Sequence, residues 1–179
     1  SNSAKEYVIR TNLKRTRILS FSKWAYPIEE LAKNSTGVGS IDVYSPDRHV
    51  VKIPLLVKVD GNLYPSLPLM VISKILQHPI SSMTAYDGYI LAGSKKIKMD
   101  PDGAFHPVFS TPGSHFKAYS YSDILNDHFD ANDLKDSIVI IGYDGTRFPV
   151  NFITPISDNH NGSDINADAV RSLLTELSN

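Results

Sequence analysis

Ser137-Ile-Val-Ile-Ile-Gly142 is the stretch that decides how this chain is read. A polar loop follows it, Tyr143-Asp-Gly-Thr-Arg-Phe-Pro-Val-Asn-Phe-Ile-Thr-Pro155, and a helical pattern, Asp164-Ile-Asn-Ala-Asp-Ala-Val-Arg-Ser-Leu-Leu174, closes the unit. A short β-branched run bounded by turn residues suits a strand buried on both faces. A helix returning after such a strand implies layers of helix and sheet. The expected fold class is α/β: a mixed β-sheet flanked by helices in a single layered domain. Open α/β sheets bind ligands beyond the carboxyl ends of their strands, so the loop from Tyr143 to Pro155 is where a site is expected.

Working outward, Arg17 to Ser22 reads as a short strand and Pro27 to Lys33 as a helix with its proline in the first turn. Val38 to Val43 reads as a strand. Val50 to Val59 mixes apolar and basic residues in a strand-like way, and Pro54 argues for an edge or a bulge there. Asp60-Gly61-Asn62 is a hairpin-type turn. Ser66 is a natural N-cap for a helix through Leu67, Met70, Val71, Lys74 and Ile75. Gly88 to Gly93 and Lys96 to Met99 read as strands either side of a Gly93-Ser94-Lys95 turn. Asp100-Pro-Asp-Gly103 is a further turn, and Phe105 to Phe109 could pair after it. Ser122 caps a short helix, Thr154 to Asn161 is loop, and the last helix runs from Asp164 to Leu177. Its apolar face is Ala167, Val170, Leu173, Leu174 and Leu177.

Composition narrows the function. The length of 179 residues fits one domain, with 41% hydrophobic and 21% charged residues. A net charge of −1 carries no basic excess of the nucleic-acid-binding kind. The cluster Lys14-Arg15-Thr16-Arg17 reads as a solvated face. The chain has no cysteine, which excludes disulfides, thiolate metal sites and cysteine nucleophiles. No apolar run approaches the roughly 20 residues that span a bilayer. Ser1-Asn2-Ser3-Ala4 reads as the scar of a removed tag, so an excised fragment is expected. Residues 1–16 are assigned to that scar and a polar N-terminal segment, and residues 17–179 to the domain.

No catalytic signature stands out. There is no Gly-x-Ser-x-Gly elbow, no phosphate loop and no His-Glu-x-x-His. Gly37-Val-Gly39 lacks the third glycine of a dinucleotide fingerprint, and it reads as a loop needing close backbone approach. Asp100-Pro-Asp102-Gly103 opens like a calcium loop, but the twelfth position is Thr111, not a bidentate Glu. The histidines show no metal-ligand spacing. No cofactor, metal site or catalytic residue is therefore expected. The concentrated polar constellation is the loop after Gly142. Its candidate ligand-binding residues are Tyr143, Asp144, Thr146, Arg147, Asn151, Thr154, Asp158 and His160. Arg147 would clamp a carboxylate or phosphate in fork geometry.

Five ordered segments carry a family resemblance. They are Gly37-Val-Gly39 with Pro46 to Leu56; Tyr64-Pro-Ser-Leu67; Tyr119-Ser120 with Asp123-Ile-Leu125; Ile138 to Gly142 with Thr154-Pro155; and Gly162, Ile165-Asn166-Ala167-Asp168-Ala169 with Leu173-Leu174. Together, from about Ser20 to Leu177, they resemble the second type of CHASE domain, the cyclase- and histidine-kinase-associated extracellular sensory domain. Asn166 stands where that family usually has His. The further N-terminal strand, the Asp-Asp-x-Ser element and the Phe-Asp-x-x-Phe element usual in the family are not found, so the chain either starts late or is a shortened member. The resemblance implies a sensor outside the cytoplasmic membrane, in the periplasm of a Gram-negative cell. Transmembrane helices would tether it to a histidine kinase or an adenylate or guanylate cyclase. Its expected partners are an unidentified small-molecule ligand or envelope signal and a possible second copy, with no nucleic acid. Two alternatives stay open. One is a soluble hydrolase or transferase in which Asp144, Arg147 and His160 converge, and the other is a ligand-free dimerisation module.

Overall fold

The computed structural model describes residues 7–14, 17–43, 45, 47–113, 115–143 and 151–178. In chain order the elements are β1 (Arg10–Asn12), β2 (Ser20–Phe21), α1 (Glu29–Asn34), β3 (Ile53–Pro54), β4 (Leu56–Val59), β5 (Asn62–Pro65) and α2 (Leu67–Ile75). After them come β6 (Thr84–Tyr86), β7 (Tyr89–Ala92), β8 (Lys95–Lys98), β9 (Ala104–Phe105), α3 (Tyr121–Leu125), α4 (Ala131–Leu134), β10 (Asn151–Thr154), β11 (Ser157–Asn161) and α5 (Gly162–Ser178).

Turn chemistry and alternation build the sheets. Asp60 (φ 47°) and Gly61 (φ 82°) are both left-handed, as the two-residue turn of a hairpin requires, and they join β4 to β5 in register Val57–Tyr64 and Lys58–Leu63. β2 lies parallel on the other edge of β4. The largest sheet has the order β1-β6-β7-β8, with β1 parallel to β6 and the other pairs antiparallel. One cross-strand row of it, Ala85, Ile90 and Ile97, is buried. The period of two sends the next row, Tyr86, Tyr89 and Lys98, to the opposite face. Pairing is mixed and helices flank it, so the fold is α/β. The described strands form four separate ladders, however, where one sheet was expected.

Helices α2 and α5 close the core. The Ser66 hydroxyl caps α2 by accepting from the Leu69 N–H (3.4 Å), and Pro68 sits in its first turn. On α5 the side-chain oxygen of Asn161 accepts from the Asp164 N–H (2.8 Å), and Ile165, Ala169, Val170 and Leu173 form the buried stripe. The two helices pack on each other, and α5 also covers β8 and β11. Leu69, Ile72, Ile90, Ile97, Ile165 and Leu173 belong to one continuous core cluster. Each side chain buried there stabilises by about 1.5–3 kcal/mol relative to exposure.

The decisive stretch does not behave as its sequence implies. Ile138 to Gly142 forms no strand, and Val139 and Ile141 are 55% and 89% exposed. β-propensity is realised only against a pleated, half-buried neighbour, and no described strand lies beside this run. Helix α5 packs instead on α2 and β8, and the run meets it at Gly142, beside Ser163. Val38 to Val43 contributes one bridge, Ser40 to Ser66, and no strand. Here the expectation for Gly39 holds. A Cβ on it would sit 2.6 Å from the Ser66 carbonyl oxygen and the Leu67 nitrogen, so the backbone passes too close to α2 for any side chain. The span expected as loop, Thr154 to Asn161, instead forms a hairpin, β10–β11, around Pro155 and Ile156. Its strands are too polar to announce themselves by alternation. The cap of α3 is Ser120, not Ser122, because Asp123 at the third helical position completes a reciprocal capping box with it. Ahead of residue 17, β1 and the buried Ile9 are drawn into the fold by the pairing with β6.

The segment carrying α3 and α4 buries no helical residue and is held by polar contacts. Asp133 takes hydrogen bonds from Lys117 and from the Tyr119 hydroxyl. Lys117 first, then Tyr119, hold the Asp133 carboxyl below its usual range. A lowered folded value means that the stability is present above the unfolded value of 3.8 and is lost as pH falls through the folded one. An NMR pH titration is expected to show the α3–α4 amides losing dispersion only below that point, with Asp133→Asn reducing the dependence and leaving the part carried by Asp123, whose carboxyl the Ser120 side chain also holds low. Leu173→Ala should cost about 2–5 kcal/mol in urea denaturation. Ile141→Ala should stay within about 0.5 kcal/mol, and a large loss there would restore the buried strand.

Candidate ligand-binding site

The loop singled out by sequence ends on the β10–β11 hairpin, and the segment at residues 48–50 stitches that hairpin in place. Ile153 donates to the Arg48 carbonyl (2.8 Å) and accepts from the Val50 N–H (2.7 Å), while Arg48 Nε donates to the Asn151 carbonyl (3.0 Å). The inward side of the hairpin carries a polar network. Thr154 Oγ1 and His160 Nδ1 are hydrogen-bonded at 3.2 Å. His160 Nε2 lies 3.6 Å from Asp168 Oδ2, and neither side chain has any exposed surface.

Asp168 is the hub of this network. It accepts from the Ser110 backbone N–H at Oδ2 (2.9 Å) and from the Ser110 hydroxyl at Oδ1 (2.5 Å), and Arg171 Nη2 lies 3.3 Å from Oδ1. Arg171 also donates to the Val108 carbonyl (2.7 Å), and the Ser172 hydroxyl accepts from the Val108 N–H (2.9 Å). Phe109 packs edge-on against the His160 ring, centroids 5.9 Å apart. The segment at residues 108–110 is thus strapped across α5, and the hairpin is docked on the same carboxylate. Serine, histidine and aspartate meet here, but the hydroxyl bonds the acid and the group is sealed from solvent. A nucleophile needs the opposite: its hydroxyl on the imidazole, and access to substrate. The geometry is that of a fastening.

The sequence-predicted residues therefore separate. Thr154 and His160 are brought together and buried, 6% and 0% exposed. Tyr143 and Asp158 lie on the surface, and Asn151 is half-buried with its amide on Asn159. Asp144, Thr146 and Arg147 lie outside the described residues. Sequence reasoning missed Ser110, Asp168 and Arg171. A signal existed: Asp168 falls between Ala167 and Ala169 on the apolar side of a helix, with a cation three residues on. Asn166, at the usual histidine position, is buried too, and its Nδ2 donates to the Gly162 carbonyl (2.8 Å) within the first turn of α5.

A second polar surface is concave. A cleft between the chain leading into β2, the edge of β3 and the Asp100–Ala104 turn is lined by Arg17, Leu19, Lys52, Pro54, Asp102 and Ala104. Lys52 pairs with Asp102, and His106 Nε2 lies 2.9 Å from Asp100 Oδ2. Cations and carboxylates face each other over apolar walls, an arrangement suited to a small molecule bearing both signs. Among the described residues, no three His, Asp or Glu side chains gather to hold a metal ion.

The model of the CHASE2 domain matches residues 5–179, so the chain belongs to that family. CHASE2 is an extracellular sensory domain of signalling proteins, with a sensory and not a catalytic role. No curated protein and no solved structure matches the chain. None of the described helices is long and apolar enough to cross a membrane.

Asp168→Ala strands a buried serine and leaves the Arg171 charge without its carboxylate. It is expected to cost about 3–5 kcal/mol in denaturant unfolding. Asp158→Ala on the outer side of the same hairpin should change stability by no more than about 0.5 kcal/mol. Equal effects of the two would show that the network does not fasten the hairpin.

Proposed function

We propose that this domain senses a small molecule or an envelope condition on the outer side of the cytoplasmic membrane. In a Gram-negative cell that would be the periplasm. The state it adopts is passed to a membrane-bound histidine kinase or nucleotide cyclase. One observation carries the reading beyond the family: the buried Thr154–His160 hydrogen bond sets the His160 ring 3.6 Å from Asp168, so the end of the polar loop packs on the middle of α5. A ligand held by the loop after Gly142, or by the cleft at Arg17 and Lys52, would bias one setting of α5 against another. The signal cannot exceed the difference in its affinity for the two. The helix moves against α2 and β8, on which it packs, and its first turn carries Ser163 beside Gly142.

A second reading, a ligand-free dimerisation module, is favoured by the run Ile138 to Ile141, in which Ile138, Val139 and Ile141 are exposed and Ile140 is half-buried. Unpaired β-branched residues can complete a ladder only with another chain. A thermal-shift screen of amino acids, organic acids, nucleotides and divalent ions separates the two. The sensor reading expects a rise of about 5–10 °C at a ligand concentration near 100 times Kd. A screen in which nothing moves the midpoint, while the midpoint rises with protein concentration, would favour the dimer.

A further inference from the structure

The outer face of the β1-β6-β7-β8 sheet has a composition that the fold does not require. Register places Arg10 beside Thr84, Leu91 and Lys96 in one cross-strand row, and Tyr86 beside Tyr89 and Lys98 in the next. The two tyrosine rings stack at 5.0 Å with an interplanar angle of 15°. Lys96 Nζ lies 4.9 Å over the Tyr89 ring. Tyr86, Tyr89 and Leu91 remain half-exposed, and Arg10, Lys96 and Lys98 are exposed. The face is therefore an aromatic and apolar centre between cations on both edge strands. None of these positions carries a carboxylate. The neighbouring Asp87, in the β6–β7 turn, accepts from the Lys14 backbone N–H (3.0 and 3.3 Å).

Protection of an edge strand explains lysines on β8. It explains Arg10 on β1, the other edge, equally well, but not the open tyrosine pair in the middle. A net charge of −1 also means that the cations on this face do not reflect a basic protein. A flat surface combining both features is complementary to a bilayer with anionic headgroups. Tyrosines partition to the headgroup level, and lysine and arginine stems let the cations reach phosphates. A polyanion without bases would use the cations alone; a single-stranded nucleic acid would stack on the tyrosines as well, which is why RNA is one arm of the test. Lys95 Nζ donates to the Leu177 carbonyl (2.8 Å), which sets β8 against the C-terminal turn of α5. Contact at this face would thus bear directly on the proposed output helix.

We propose that this sheet face docks on the surface of an anionic lipid bilayer. The inference uses the sensory reading only for the side of the membrane concerned. Vesicle co-sedimentation tests it with the chain as it stands. Phosphatidylcholine vesicles doped with phosphatidylglycerol should bind, pure phosphatidylcholine should not, and added salt should release the protein. Lys96→Glu with Lys98→Glu should weaken binding about tenfold or more, and Arg10→Glu on the opposite edge should weaken it independently. Melting curves check folding, and if the double variant unfolds, Lys98→Gln and the salt titration decide. Equal binding to both vesicle types, indifference to charge reversal, or capture by heparin or RNA without vesicle binding would each overturn the proposal. Its failure would leave the thermal-shift result standing, since that screen contains no lipid.

Discussion

Asp168 is a carboxylate with no exposed surface in the middle of a helix, and much of the arrangement around α5 follows from that fact. A buried charge is tolerated only where it is paired and hydrogen-bonded. Ser110 supplies two donors, Arg171 a cation, and the His160 ring closes the remaining side. Satisfying one carboxylate therefore places three parts of the chain that are remote in sequence. The segment at residues 108–110 must lie across α5, the β10–β11 hairpin must turn its inner side to the helix, and α5 must take the rotation that buries position 168.

That rotation sets the apolar packing as well. With Asp168 inward toward the hairpin, Ile165, Ala169 and Leu173 face the core shared with α2 and the large sheet. The polar and apolar sides of α5 are thus read by different neighbours, and a shift along either is felt by the other. This is the physical content of a link between loop and helix: a packed, two-sided contact that deforms as a unit. The α3–α4 segment shows the contrasting case. It buries no helical side chain and relies on Asp133, Lys117 and Tyr119 at the surface, so it is free to respond to pH without disturbing the core.

Legibility followed locality. The α2 cap at Ser66, the Asp60-Gly61 turn, the Gly93 turn and the Asp100–Gly103 turn all depend on a few adjacent residues, and each was readable; the close approach at Gly39 was readable from the glycines, though its neighbour, the start of α2, was not. Ile138 to Gly142 was misread because its strand character needs a ladder partner, and the chain's apolar composition cannot say whether one arrives. The β10–β11 strands were missed for the opposite reason. Asn151, Asp158 and Asn159 carry no strand propensity, and the hairpin exists because Arg48 and Val50 hold its edge. In the candidate site, the polar loop was visible as composition. The partition of its residues between interior and surface was not.

By itself the sequence determined the α/β class, the family and the terminal amphipathic helix, because ordered motifs and helical spacing are properties of neighbouring residues. Tertiary structure alone decided that Thr154 and His160 face inward, that Asp168 anchors them, and that the most strand-like run in the chain stays exposed. Burial and pairing are relations between segments far apart along the chain. They are settled by which surfaces compete for the same core and by which donors can reach a buried charge.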